Sequence, residues 1–295
     1  MSERDDDATP ESSEPELIVL PGGAGRVVPG ELDHLLANRR FIVRRALLAT
    51  AVGGAVPLPV MDEYLAGRVK AGMLMRLAER RQVDLAASSA ELLGDPRGTT
   101  ALRHATLTAA TLLALKLAWR KFFTLLAVGR RAEDMASTFQ LGTLFDHYCA
   151  KMHVGGGLDR ARAARLREVI HVAQGETERA ALVAAFRDGG RVLGKTMLEA
   201  PAWANERLER AARRWAASGG RSMDPDPSAD LHEDEAEARW IDRAAGEVEG
   251  HLGGLGTEYL TKLVRTFERR YRESERDHEA ATSVTASSPP TEKDT

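Results

Sequence analysis

The sequence holds little from which to build a disulfide, a β-sheet or a membrane span. A single cysteine, Cys149, excludes any disulfide within the chain and points to a reducing compartment. Aromatic residues make up only 5% of the chain, and isoleucine, tyrosine and phenylalanine are sparse, so strand propensity is low. Neither sign of charge dominates. The 41 basic and 44 acidic residues leave a formal net charge of −3, which gives no overall field to attract nucleic acid. Nor are aromatic residues interleaved with basic ones, as single-strand binding would ask. The uncharged run 46–60 spans about 15 residues where a membrane-crossing helix needs roughly 20. The opening MSERDDDATPESSEPE is acidic and lacks the basic-then-apolar order of a signal peptide. A cytoplasmic location is therefore expected, with the inner face of the membrane as a peripheral station.

Alanine, leucine and arginine carry the chain, and all three favour helix. The expected fold is all-α: a multi-helix bundle with an apolar helical hairpin, a long C-terminal amphipathic helix and disordered tails. Residues 1–30 read as an acidic tail whose composition cannot bury a core. A helical domain follows over 31–218, then a linker at 219–232, a helix at 233–273 and a polar tail at 274–295. Within the domain, Asp95-Pro96 marks a helix start. The helix it opens, to about Val128, is nearly all apolar in its middle and should be the most buried. Gly129 should end it, and another helix should run from about Arg131 to His153. Shorter helices are expected at 159–174, 177–187 and 202–217, with Gly175 among their separators.

The stretch 38–83 is the most informative. Arg39, Arg40, Arg44 and Arg45 lead into the small-residue apolar run, and Pro57 ends its helix. Pro59 suits the first turn of the next helix, with Asp62 and Glu63 near the positive end of that helix's dipole. Leu65, Val69, Met73 and Leu77 then repeat every four residues on one face. The two prolines should force a hairpin with Val52, Val56 and Val60 near its tip and the arginines toward its open end. A buried helical corner is the plainer reading of the tip. A shallow membrane-inserting hairpin flanked by arginines is the sharper one.

Three patterns invite chemistry. The first is GGRVLGKT, with Gly189, Gly194, Lys195 and Thr196 at phosphate-loop spacing, where backbone N–H groups would cradle phosphates and Thr196 would hold magnesium. Its context is wrong: ERAALVAAFRD upstream reads as helix rather than strand, and Pro201 cuts the following helix short. A glycine-rich helix break is the favoured reading. The second is Asp146, Cys149 and His153, which at i, i+3 and i+7 share a helical face and are all possible zinc ligands. A buried, unligated cysteine is favoured over a metal site. The third is Gly246, Gly250 and Gly254, a four-residue small-side-chain spacing that suits helix packing within the protein or across a homo-oligomer, or else merely weakens the helix.

The segment ALLATAVGGAVPLPVMDEYLAGRVKAGMLMRLAERRQVDL, chiefly residues 41–85, resembles an uncharacterised bacterial helical domain found fused to, or encoded beside, Era-like and dynamin-like GTPases. The features in common are the small-residue apolar helix, Pro57-x-Pro59, the acidic residue soon after, and an amphipathic exit helix ending in a basic stretch. The resemblance implies a GTPase-associated role and carries over no catalytic residue. The function expected is thus a non-enzymatic helical adaptor without a cofactor, working through a protein partner (a GTPase among the candidates) or an anionic membrane surface. The interaction residues would be Arg39, Arg40, Arg44, Arg45, Val52, Val56, Pro57, Pro59 and Val60. The alternatives are a nucleotide-binding enzyme using the Gly189–Thr196 loop and a purely structural helical protein.

Overall fold

The computed structural model describes residues 32–53, 59–94, 128–188 and 235–286. These residues form helices and no strand. Helix α1 is Asp33–Gly53, α2 Pro59–Arg80, α3 Ala87–Gly94 and α4 Val128–His147, which runs on into a π turn, Tyr148–Met152. Helix α5 is Arg160–Glu176, residues 180–188 are helical, and α6 and α7 are Glu235–Gly254 and Gly256–Ala286. The all-α bundle expected from composition is the fold observed. The acidic tail 1–30, the corner at Val56 and Pro57, the apolar segment 95–127, the helix 202–217 and the linker 219–232 lie outside the described residues, and so does the Gly189–Thr196 loop.

The hairpin forms. Pro59 is the first residue of α2, and α2 packs along α1. The Arg80 guanidinium at the end of α2 donates to the Asn38 side chain near the start of α1 at 2.8 Å, so the helices run antiparallel. Four boundaries differ from the sequence reading. Gly129 and Gly175 sit inside α4 and α5 rather than ending or separating helices. The predicted single helix 233–273 is two, broken at Leu255, whose N–H turns back to the Leu252 carbonyl at 3.2 Å. Gly253, Gly254 and Gly256 crowd this point, and a glycine costs about 1 kcal/mol against alanine in a helix interior. Helix α7 also continues past Ser274 to Ala286, so the tail expected from 274 is helical over its first part.

Among the described residues α4 is the helix buried on nearly every side, touching α1, α2, α5 and α7. Small residues permit this. A Cβ on Gly142 would stand 2.7 Å from the Ile42 side chain, so α4 comes as close to α1 as a bare backbone allows. Helix α3 is seated on α2 in the same manner, since a Cβ on Gly94 would lie 2.8 Å from the Gly67 carbonyl oxygen. Leu47, Met73, Leu74, Leu144, Phe139, Phe145, Phe186 and Phe267 belong to one continuous apolar core.

The end of α2 positions the site described below. The Val83 N–H reaches back to the Ala78 carbonyl at 2.9 Å and the Gln82 N–H to the Glu79 carbonyl at 3.0 Å, the paired bonds of a Schellman stop. That motif needs a left-handed residue, and Gln82 supplies it with φ of 57°. Glycine would hold the same angle without a Cβ penalty. Gln82→Gly should therefore leave stability level or raise it by up to about 1 kcal/mol, where glycine introduced into a helix interior lowers it. Urea unfolding checks the sign, and a clear loss would show that the Gln82 side chain contributes contacts of its own.

Candidate functional site

Polar groups buried at the open end of the hairpin converge on α4. Asp146 is fully buried. Its Oδ1 accepts from Arg81 Nε at 2.8 Å and from Asn38 Nδ2 at 2.9 Å, and its Oδ2 accepts from Arg81 Nη2 at 2.9 Å. Arg81 Nη2 also donates to the His34 carbonyl at 2.6 Å. The bidentate fork satisfies the carboxylate and raises the guanidinium's pKa, with the Asp146 hydrogen bond the leading cause. The Schellman stop holds Arg81 just past the end of α2, where it reaches both α1 and α4. Beside it, Arg80 lies 4.3 Å over the Phe41 ring, a cation–π contact, and Arg45 approaches the same ring at 5.2 Å.

A second polar row begins one residue on. His147 is 3% exposed and donates from Nε2 to Glu268 of α7 at 3.0 Å, while its Nδ1 meets His34 Nε2 of α1 at 3.0 Å. Glu268 also accepts from Arg272 at 2.9 Å. Phe267 stands edge-on to the His147 ring with centroids 6.4 Å apart. Burial lowers the pKa of both imidazoles, that of His34 to about 4, with the positive neighbour Lys151 adding to the effect; Glu268 opposes it at His147.

The alternative zinc face of Asp146, Cys149 and His153 does not assemble. Asp146 is committed to Arg81 and Asn38. Burial, with the Asp146 charge nearby, pushes the Cys149 thiol up to about 12, so it stays protonated and buried. The π turn breaks the 3.6-residue phase that aligned the three residues: the His153 N–H bonds to the Tyr148 carbonyl five residues back, and His153 itself is extended. Its ring nitrogens are taken by the Tyr148 hydroxyl at 3.3 Å and the Gly156 carbonyl at 2.8 Å. Among the described residues no three His, Cys, Asp or Glu side chains are grouped to hold a metal.

The arginines of α1 are taken up by the chain's own α6. Arg40 and Arg44 converge on Asp242 at 3.7 and 3.3 Å, and Arg39 donates to the Glu249 carbonyl at 3.0 Å. Arg45 is buried, 3% exposed. Helix α6 lays Ile241, Ala244, Ala245, Val248 and Leu252 inward, while a Cβ on Gly246 or Gly250 would meet nothing within 4 Å. Gly246 and Gly250 thus face away from the packed side. Val52 is the last but one residue of α1, and Pro59 and Val60 open α2. Among the described residues no helix is long and apolar enough to cross a membrane.

Sequence reasoning missed His34, Asn38, Arg81, His147 and Glu268. A signal was present: Asp146-His147 interrupts the apolar stretch LGTLFDHYC, and His34 and Asn38 share a face of α1 at four-residue spacing. Comparison with family models, with curated proteins and with solved structures returns no match.

Proposed function

We propose that the protein is a non-enzymatic helical adaptor whose binding face is the arginine side of α1, and that α6 occupies this face until a protein partner displaces it. The observation that carries the reading is the convergence of Arg40 and Arg44 on Asp242, with Arg39 on the Glu249 carbonyl. Both ion pairs are partly open to solvent: the Arg40 side chain is 60% exposed and Asp242 29%. Such pairs contribute about 0–1 kcal/mol each. Among the described side chains of α6, two of the five that face inward are alanines, which add little apolar area. A helix held this way opens at low cost compared with the core, as displaceable elements must.

The partner chemistry follows from what α6 offers. A carboxylate in the place of Asp242, on a short apolar helix, would take over the same arginines. The resemblance of residues 41–85 to GTPase-associated domains makes a GTPase the first candidate. A membrane-peripheral role is the second reading and would need the hairpin tip rather than the arginines.

Asp242→Arg tests the exchange. Replacing the shared carboxylate with a fourth cation should raise amide exchange across 241–252 about 10-fold, while Val69–Leu77 of α2 stays protected. A photo-crosslinker at position 36 should then trap more of a partner in Asp242→Arg and less in Arg40→Glu/Arg44→Glu. Core-like protection of α6 in both chains would overturn the displacement. Flotation of the wild type with anionic vesicles, lost in Val56→Asp, would favour the membrane reading.

A further inference from the structure

We propose that His34, His147 and Glu268 form an acid-sensitive clamp, which ties α1 and α7 to α4 while both imidazoles are neutral and parts when both are protonated. The row joins elements distant in sequence: 113 residues separate His34 from His147, and 121 separate His147 from Glu268. The clamp is a property of the fold and does not depend on any partner.

Proton positions follow from the donors available. An ionised carboxylate only accepts, so His147 carries its proton on Nε2 against Glu268. Its Nδ1 is then a lone pair and accepts from His34 Nε2–H. His34 Nδ1 is left bare and buried, with no hydrogen-bond partner among the described residues. Every contact in the row is satisfied with both rings uncharged. One added proton can be held without breaking it. His147 becomes the cation between Glu268 and Asp146, and His34 turns to the other tautomer and accepts. A second proton cannot be held. Two N–H groups would face each other where the nitrogens now stand 3.0 Å apart, and two positive rings would sit in contact.

The charges around the row set its balance. Lys151 of the π turn and Arg81 after α2 disfavour a charged imidazole, and Asp146 of α4 and Glu268 of α7 favour it. Arg272 draws on Glu268 from the same helix, and Arg81 already holds both oxygens of Asp146. The acidic partners are therefore partly spent, and burial keeps the rings neutral near pH 7. Because both folded-state pKa values lie below the ordinary value of 6.5, the unfolded chain takes up protons first as pH falls. The clamp's contribution is whole above about pH 6.5 and is lost as pH falls toward 4.

Imidazole nitrogen NMR of the full-length protein tests the clamp directly. Both rings should be neutral with the proton on Nε2 at pH 7, and His34 should first titrate well below 6.5. Between pH 7 and 4.5, amide protection in 259–271 and 34–38, corrected for intrinsic exchange, should fall at least 10-fold more than in Val69–Leu77. His34 is at the edge of the row, so His34→Gln should fold and should reduce the pH dependence of unfolding by close to one proton. Rings that titrate near 6.5, with protection in 259–271 tracking that of α2, would overturn the proposal. So would a His34→Gln protein whose pH dependence matches the wild type.

Discussion

Arg81→Ala should lower stability to urea by about 3 kcal/mol, the loss expected when one partner of a buried pair is removed. The reason lies in Asp146. Its carboxylate is fully buried and accepts two of its three hydrogen bonds from Arg81. With Arg81 gone, Asn38 alone among the described residues remains to satisfy it. The carboxylate must then protonate, or the end of the hairpin must open to water. Asp146→Asn in the Arg81→Ala background should recover part of the loss, because a neutral amide needs no counter-charge. The unfolding midpoint, at unchanged denaturant slope, measures both. A single-mutant loss under 1 kcal/mol would mean that the pair sits in a wetter site than its burial implies.

Phe267→Ala should cost about 3–5 kcal/mol, in line with removal of a fully buried aromatic ring. Phe267 is 0% exposed, edge-on to His147 and 6.1 Å in centroid distance from Tyr271. With Leu263 and Tyr271 it seats α7 beside the Glu268–His147 bond. Its loss should therefore expose 256–271 to exchange before the rest of the bundle. Truncation after Glu275 should change stability by less than about 0.5 kcal/mol, since the residues described from Arg276 to Ser283 are exposed. Equal destabilisation of every helix by Phe267→Ala would show that α7 does not open on its own.

The amphipathic elements were legible because one face alone is apolar. Val69, Met73 and Leu77 on α2, and Ala244, Val248, Leu252, Leu263 and Phe267 on the last two helices, are buried where their spacing placed them. Helix α4 was read as an ordinary helix because Ser137, Thr138, Gly142 and Thr143 dilute its apolar pattern. Small residues of this kind are what let it be surrounded. The break at Leu255 was hidden for the opposite reason: the apolar stripe runs through it without a change of phase, and only the glycines mark it. The buried polar rows were not legible. Their contacts between Arg81 and Asp146, His34 and His147, and His147 and Glu268 each span more than 60 positions, and no local period reports a partner at that distance. The zinc pattern failed because its geometry assumed an unbroken α-helix through the π turn.

The arrangement of α6 on α1 also has a consequence during synthesis. Arg39 and Glu249 lie 210 residues apart. At about 5–20 residues per second, a ribosome spends on the order of 10–40 s between them. Throughout that interval the side of α1 that α6 will cover stays open. A face lined with leucine would invite aggregation on the nascent chain, whereas Arg39, Arg40 and Arg44 keep it hydrated. The contacts of Arg40 and Arg44 with Asp242, and of Arg39 with the Glu249 carbonyl, can form only after α6 has left the ribosome, so they belong to the last steps of folding.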